Sequence, residues 1–318
     1  MKQATTRREL LGGMAAGAAL VAVEAAEAEA GAIPIIDTHQ HLWDFNLFHP
    51  PWLKGEPTID KSTTMADYLK ATAGLNVRKT VYMEVDVDPK EQLKEAKWVE
   101  GVCAGRHTPM AAAVVSCRPG LPGFEAYVRR VHKMPHVRGF RQVLQVPETP
   151  RGYSTRSVFV RDIQLLGQLG MTWDICIRPT ELADAVHLVD ACPEVRFVLD
   201  HCGNGSARNP DQEQWKADIA ALAKRSNVVC KISGIIKTVQ PGWDVVTELA
   251  PVVEHCIQHF SYGRVMFGGD WPVCNLTSSF AGWVSCLKSI VSSATPERQR
   301  KLFHDNAAHF YRIGSSSA

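Results

Sequence analysis

The stretch "PIIDTHQHLWDF", residues 34–45, runs from a β-branched apolar start into two histidines two positions apart, and its reading decides the fold. An extended chain points the side chains at i and i+2 to the same side. A strand here therefore carries His39 and His41 to one point at its end, with Asp37 on that side one layer deeper. The first strand of a doubly wound, nucleotide-binding sheet would instead run into a glycine-rich phosphate loop, and this segment is the opposite of glycine-rich. That open sheet is the competing arrangement.

Downstream, short β-branched runs alternate with longer amphipathic ones. Candidate strands are 34–39, 80–85, 110–116, 137–142, 172–177, 196–201, 228–233 and 264–269, eight in all. Asp88-Pro89 before "KEQLKEAKWVEGVCAG" offers an N-cap followed by proline at the first helical position. Further helices are expected over 121–133, 157–170, 179–191, 210–225, 241–260 and 275–292, and "TPERQRKLFHDNAAHFYRI" closes the chain as one more. Strand–helix alternation of this kind implies parallel pairing through right-handed crossovers. The expectation is α/β: a single (β/α)8 TIM barrel over residues 31–318 with an additional C-terminal helix, since such barrels run about 250 residues and more.

Residues 1–30 differ in kind. A basic start, an apolar Leu10–Val23 stretch and the small-x-small Ala28-Glu29-Ala30 read as an export leader, and Thr6-Arg7-Arg8-Glu9-Leu10-Leu11 resembles a twin-arginine signal. The apolar part is shorter than the about 20 residues that cross a bilayer, so stable membrane insertion is not expected. A periplasmic location is.

With 35 basic against 33 acidic side chains and a formal charge of +2, the chain has no field that would attract nucleic acid, and a small-molecule substrate is expected. A homo-oligomer stays open. The nine cysteines are odd in number, form no C-x-x-C pair and sit in apolar runs such as "NVVCKIS", so they read as buried small hydrophobes.

In a barrel all parallel strands end at one face. His39 and His41 at strand one, His201 in "VRFVLDHCGNG" (195–205) and Asp270 in "RVMFGGDWPVC" (264–274) would then converge, although they are far apart along the chain. Imidazoles and a carboxylate in that arrangement either position a water against a base or hold one divalent ion. The long aromatic segment 42–61 would be the first loop of that face, where Trp43, Phe48 and Trp52 wall a pocket or pack on the rim. Glu84, ending strand two, points into the same neighbourhood to orient a histidine or bind hydroxyls.

"IIDTHQHLWD", "VRGFRQVLQ", "DHCG", "CKISG" and "RVMFGGDWPV", in that order at strands one, four, six, seven and eight, resemble the amidohydrolase superfamily. The likeness is to its amidohydrolase-2 branch, nearest the L-fuconolactonase and L-rhamnonolactonase type. The resemblance implies a TIM barrel that opens a lactone, sugar-derived or carboxylated, with water. By the same resemblance Asp270 is general base and then proton donor, His41 and His201 are catalytic, and His39, His41 and His201 polarise the carbonyl or, with Asp270, hold one metal ion, such as Zn2+, that is loosely held or dispensable. The strand-four and strand-five ends carry Arg141 and Arg178 where a binuclear centre needs a lysine or glutamate and a histidine, so two metals are not expected. Guanidinium groups there suit a substrate carboxylate. Arg141, Arg178, Glu84 and Trp43 are the expected substrate contacts, and Arg138 reads at least as well as a strand-end ion pair. The alternative within the same branch is a metal-dependent decarboxylase.

Overall fold

The computed structural model describes residues 33–106, 108–206, 208 and 212–314. The expected export leader at residues 1–30 lies outside them. Eight strands, β1 (Ile35–Gln40), β2 (Val77–Met83), β3 (Met110–Ser116), β4 (Val137–Val143), β5 (Thr172–Cys176), β6 (Arg196–Leu199), β7 (Val228–Ile232) and β8 (Val265–Phe267), pair in parallel in chain order. The ends meet: Gln40 forms a parallel bridge with Trp271, Asp270 N donates to His39 O (2.8 Å) and His41 N donates to Trp271 O (2.8 Å). The structure is the expected (β/α)8 barrel.

The helices lie on the outside, beginning with α1 (Met65–Ala71), α2 (Gln92–Cys103), α3 (Phe124–Val131), α4 (Ser157–Gln168) and α5 (Leu182–Ala191). They continue with α6 (Gln212–Ala223), α7 (Val245–Phe260) and α8 (Phe280–Ile290). Asp88 caps the turn leading into α2 by accepting from Lys90 N (2.9 Å). Helix α1, absent from the expected set, is opened by a capping box in which Thr64 and Asp67 satisfy each other's backbone N–H groups. Among the described residues no helix is long and apolar enough to cross a membrane.

Two apolar layers hold the barrel. The larger joins outward strand residues such as Ile35, Tyr82, Phe140 and Trp173 to the helices. The smaller lies inside: Ile36, Val81, Met83, Val114, Val198 and Met266 meet Phe310 and Tyr311 of the chain's end. The closing helix is α9 (Pro296–Arg300), a π turn (Lys301–Asp305) and α10 (Asn306–Phe310), and it stops the barrel from below. Arg138 and Arg196, at the starts of β4 and β6, donate to Tyr311 O (2.8 Å) and Phe310 O (2.9 Å). Arg138 is thus a bottom-face anchor, at the opposite end from the histidines.

The alternation expected for β1 holds only in part. Its register with β2 slips between Asp37 and Gln40. Asp37 therefore stays on the outward side with Ile35 while the histidines beyond the slip face the centre, and it accepts from Tyr68 Oη of α1 (2.8 Å), Gly269 N (2.7 Å) and His39 N (3.0 Å), which ties β1 to β8. The cysteines are free and buried, as expected.

Candidate active site

At the carboxyl ends of the strands a cavity of about 250 Å3 is lined by His41, Glu84, Arg141, His201 and Asp270, among others. The side chains are aimed by backbone that leaves the sheet. His201 (φ 55°) and Asp270 (φ 52°) adopt left-handed conformations just past β6 and β8. Such a conformation costs a non-glycine residue roughly 1–3 kcal/mol and persists only where the surroundings enforce it. Enforcement is visible at His201: its Nδ1 meets Ser233 Oγ at 2.9 Å, and its ring lies flat on Gly234, where an added Cβ would sit 2.3 Å from Nδ1.

Hydrogen positions follow from the partners. Nδ1 of His41 lies 2.9 Å from Met83 O, and a carbonyl only accepts, so Nδ1 carries a hydrogen. Nε2 of His41 lies 3.3 Å from Asp270 Oδ1, and the two are bridged by a proton on Nε2 or by a cation between them. Arg141 Nη1 donates to His39 Nε2 (3.1 Å), which leaves the His39 hydrogen on Nδ1, facing Asp200 Oδ1 at 3.5 Å. Burial pushes His39 well below the usual imidazole range and His201 down to about 4, so both rings are neutral near pH 7. For Asp270 burial raises the carboxyl, and His201, the His41 hydrogen bond, Lys237 and His39 outweigh it, holding the carboxyl below the ordinary range. Asp270 is therefore an anion whose Oδ2 is buried without a partner among the described residues.

Beneath this centre lies a charge lattice. Arg141 donates from Nε to Glu84 Oε1 (2.7 Å), from Nη1 to Asp200 Oδ2 (3.0 Å) and from Nη2 to Glu84 O (2.8 Å). Lys231, in the middle of β7, reaches Asp174 (2.6 Å) and Asp200 (3.2 Å), and all three are fully buried. Burial pushes Asp174 up to about 7 against the pull of Lys231.

The geometry brings His39, His41, His201 and Asp270 together, as the strand ends foretell: both His39 and His41 approach Asp270 Oδ1, at 3.7 and 3.3 Å. It treats the expected substrate contacts differently. Arg141 lines the cavity, yet its fork is spent on Glu84, Asp200 and His39. Glu84 reciprocates, with Oε2 accepting from Asp86 N (2.7 Å). Arg178 is absent from the lining; it pairs with Glu181 (2.7 Å) and donates to the carbonyls of Val146 and Thr149, pinning loops together. Trp43 is also absent from it. The indole of Trp43 is buried behind His41, ring centroids 6.5 Å apart, with its N–H on Lys61 O, and Trp52 forms the wall instead. Three participants went unseen in the sequence: Asp174, Lys231 and the cavity-lining Lys237. The first two had a signal, a charge inside an otherwise apolar strand ("TWDIC", "VVCKI"), which a barrel interior tolerates only when paired.

The residues fit one divalent ion. Ligand atoms of His39, His41 and Asp270 all lie within 4.8 Å of one another, and the gap between His41 Nε2 and Asp270 Oδ1 takes a cation as well as a proton. His201 falls in a second group with His39 and Asp200 rather than completing a four-ligand set. The guanidinium on His39 Nε2 competes with an ion there, which matches a loosely held metal.

Comparison with known proteins agrees with this geometry. Residues 36–313 match the model of an amidohydrolase family, Amidohydro_2. An uncharacterized protein of Sinorhizobium fredii, y4mH, is 30% identical over 88% of this chain and 99% of its own length. A protein of Burkholderia ambifaria named L-fucono-1,5-lactonase is 26% identical, covering 89% of this chain and 97% of its own. Among solved structures, an amidohydrolase of Burkholderia multivorans with bound zinc superposes with a TM-score of 0.79 at 22% identity, over 88% of this chain and 100% of that one. The motifs at the strand ends, the barrel that gathers them and the match along nearly the whole described chain have one reading: this protein belongs to the Amidohydro_2 family of amidohydrolases.

Proposed function

We propose that this enzyme hydrolyses a lactone, opening its ring to the hydroxy acid. The observation that carries the reading is Asp270: an anionic carboxylate at the cavity floor, with Oδ1 against His41 and Oδ2 unengaged among the described residues. A carboxylate that lines the cavity can position a water there by accepting its hydrogen bond. As the water's oxygen bonds to the lactone carbonyl carbon, Asp270 takes the proton. When the ring C–O bond breaks, the same carboxyl returns that proton to the departing alkoxide, and it ends the turnover as it began it. His201, neutral and steadied by Ser233, presents its free ring nitrogen to the cavity and orients the reacting carbonyl. Arg141 and Glu84 fix the positions of His39 and the floor. A divalent ion held by His39, His41 and Asp270 would supply Lewis-acid polarisation of the carbonyl. The relatives named L-fucono-1,5-lactonase, at 26% and 24% identity, support the reaction class.

Acid release from a panel of lactones, followed with a pH indicator, tests the reading. Asp270→Asn keeps the shape of the site and removes the base, and should slow turnover by about 100- to 10,000-fold. No turnover of any lactone, with carbon dioxide released from aromatic carboxylates instead, would overturn it.

We also propose export by the twin-arginine route, supported by Arg7-Arg8 ahead of the apolar Leu10–Val23 stretch. Full-length protein that stays cytoplasmic as much as its Arg7→Lys/Arg8→Lys variant on fractionation would refute it.

A further inference from the structure

We infer that the preferred substrate is a lactone with a largely apolar ring system carrying an anionic substituent, and that Lys237 selects it; this builds on the lactone-opening reading. The cavity walls decide the matter by what they have left to offer. Arg141 has given its fork to Glu84, Asp200 and His39. Asp86, also in the wall, is held by Arg118 at 2.7 Å. His41, His201 and Asp270 surround the reacting centre. Lys237 differs: half-buried and lining the same cavity, its ammonium has no hydrogen-bonded or ion-paired partner among the described residues.

The base of that side chain is held. Lys237 belongs to the short turn Ile235–Thr238 after β7, where Thr277 Oγ1 donates to Ile236 O (3.0 Å) and Thr238 Oγ1 to Ile235 O (2.7 Å). Lys237 lines the same cavity as His201 and Asp270, so an anion that it binds shares that cavity with the reacting carbonyl. A partly desolvated cation without a partner is costly, and a ligand carboxylate removes that cost.

The rest of the wall argues against a polyol. Trp52, Val85, Val143, Val146, Val273 and Leu276 face the cavity, and the one polar group of the Trp52 side chain is tied to Val85 O at 2.8 Å. A sugar lactone brings a hydroxyl on nearly every ring carbon, and each one buried against such a wall loses its water without replacement. Besides the groups around the reacting centre, the Gln145 amide is the neutral side-chain amide that the described lining offers to a ring hydroxyl. A flat or alkyl-bearing ring with one carboxylate uses the whole cavity.

Three substrates separate the cases: dihydrocoumarin, dihydrocoumarin carboxylated on its aromatic ring, and D-glucono-1,5-lactone. The carboxylated lactone should have the highest kcat/KM and the polyol the lowest. In Lys237→Met the ratio of carboxylated to neutral should collapse by about ten- to a hundred-fold, the worth of one charge-assisted hydrogen bond, chiefly through KM. Lys237→Arg should keep most of it. An unchanged ratio in Lys237→Met, or glucono-lactone as the best substrate, overturns the inference. Calorimetric titration with the ring-opened dicarboxylate gives a readout independent of turnover. Should wild-type protein open no lactone, the hydrolase reading falls. The anion site is then still decided by that titration, upheld by binding that weakens at least tenfold in Lys237→Met and overturned by binding that does not.

Discussion

Gly234→Ala should disable the enzyme by displacing His201, although no group that meets substrate is itself substituted. Gly234 has φ 65°, and a Cβ there would lie 2.3 Å from His201 Nδ1 and 2.6 Å from Cγ. Carbon atoms meet at about 3.5 Å, so the imidazole has to retreat by about 1 Å. It loses the 2.9 Å contact with Ser233 that fixes its orientation. The left-handed backbone costs alanine about 1–2 kcal/mol, and the lost hydrogen bond about 1 kcal/mol more. Stability should fall by about 3 kcal/mol in total, and a displacement of this size at a reacting group costs about 100-fold in rate. Gly242→Ala supplies the control, because Gly242 has φ 86° with nothing within 4 Å of its Cβ position. It carries the backbone strain and no collision. Urea unfolding and lactone turnover should therefore diverge: both variants lose stability, and Gly234→Ala alone loses turnover. Folded Gly234→Ala with kcat/KM within threefold of Gly242→Ala would refute the claim that His201 is positioned by that contact.

The buried lattice and the ion site make separate predictions. Lys231→Met strands Asp174, 2.6 Å from the ammonium, and leaves Asp200, 3.2 Å from it, with Arg141 as its remaining cation; urea unfolding should show a loss of about 3–5 kcal/mol, and a loss under 1 kcal/mol would mean that Lys231 holds no net charge in the barrel. Chelator-treated protein should take up one Zn2+ per chain in calorimetry, and His41→Ala or Asp270→Ala should abolish the uptake. Uptake that survives both would place the ion instead at the second group, His39, Asp200 and His201.

How much of this was legible along the chain depends on whether a feature is local or belongs to a pair. The strands were: buried parallel strands are near-continuous β-branched runs, and β3 falls at Met110–Ser116 as expected. Strands β6 and β8 stop early, at Leu199 and Phe267, because His201 and Asp270 go left-handed to aim their side chains, a conformation that residue type alone does not announce. Helix α1, seven residues long, is under two turns and too short for periodicity to register, although its capping box was there to read. The reacting set was legible too, since histidines and a carboxylate at strand ends are each defined by their own positions.

The arginines were not, because whether a cation is available to substrate depends on residues far from it in sequence. Arg141 is neutralised by Glu84, 57 positions away, and by Asp200, 59 away, and nothing near it in the chain records those pairings, whereas Arg178 is neutralised by Glu181 only three residues on. Lys237 reverses the case: an ordinary lysine in "SGIIKT" gains its meaning only because the turn after β7 sets it where the other cations are already spent. Reaction class therefore resides in which residues end the strands, and substrate choice in which of the gathered charges stays unpaired. A substitution that removes the Glu84 carboxylate should accordingly raise the kcat/KM ratio of carboxylated to neutral lactone, because it leaves a positive charge of Arg141 uncompensated in the cavity that Lys237 also lines, while Asp200, His39 and the main-chain oxygen of residue 84 still hold Nη1 and Nη2.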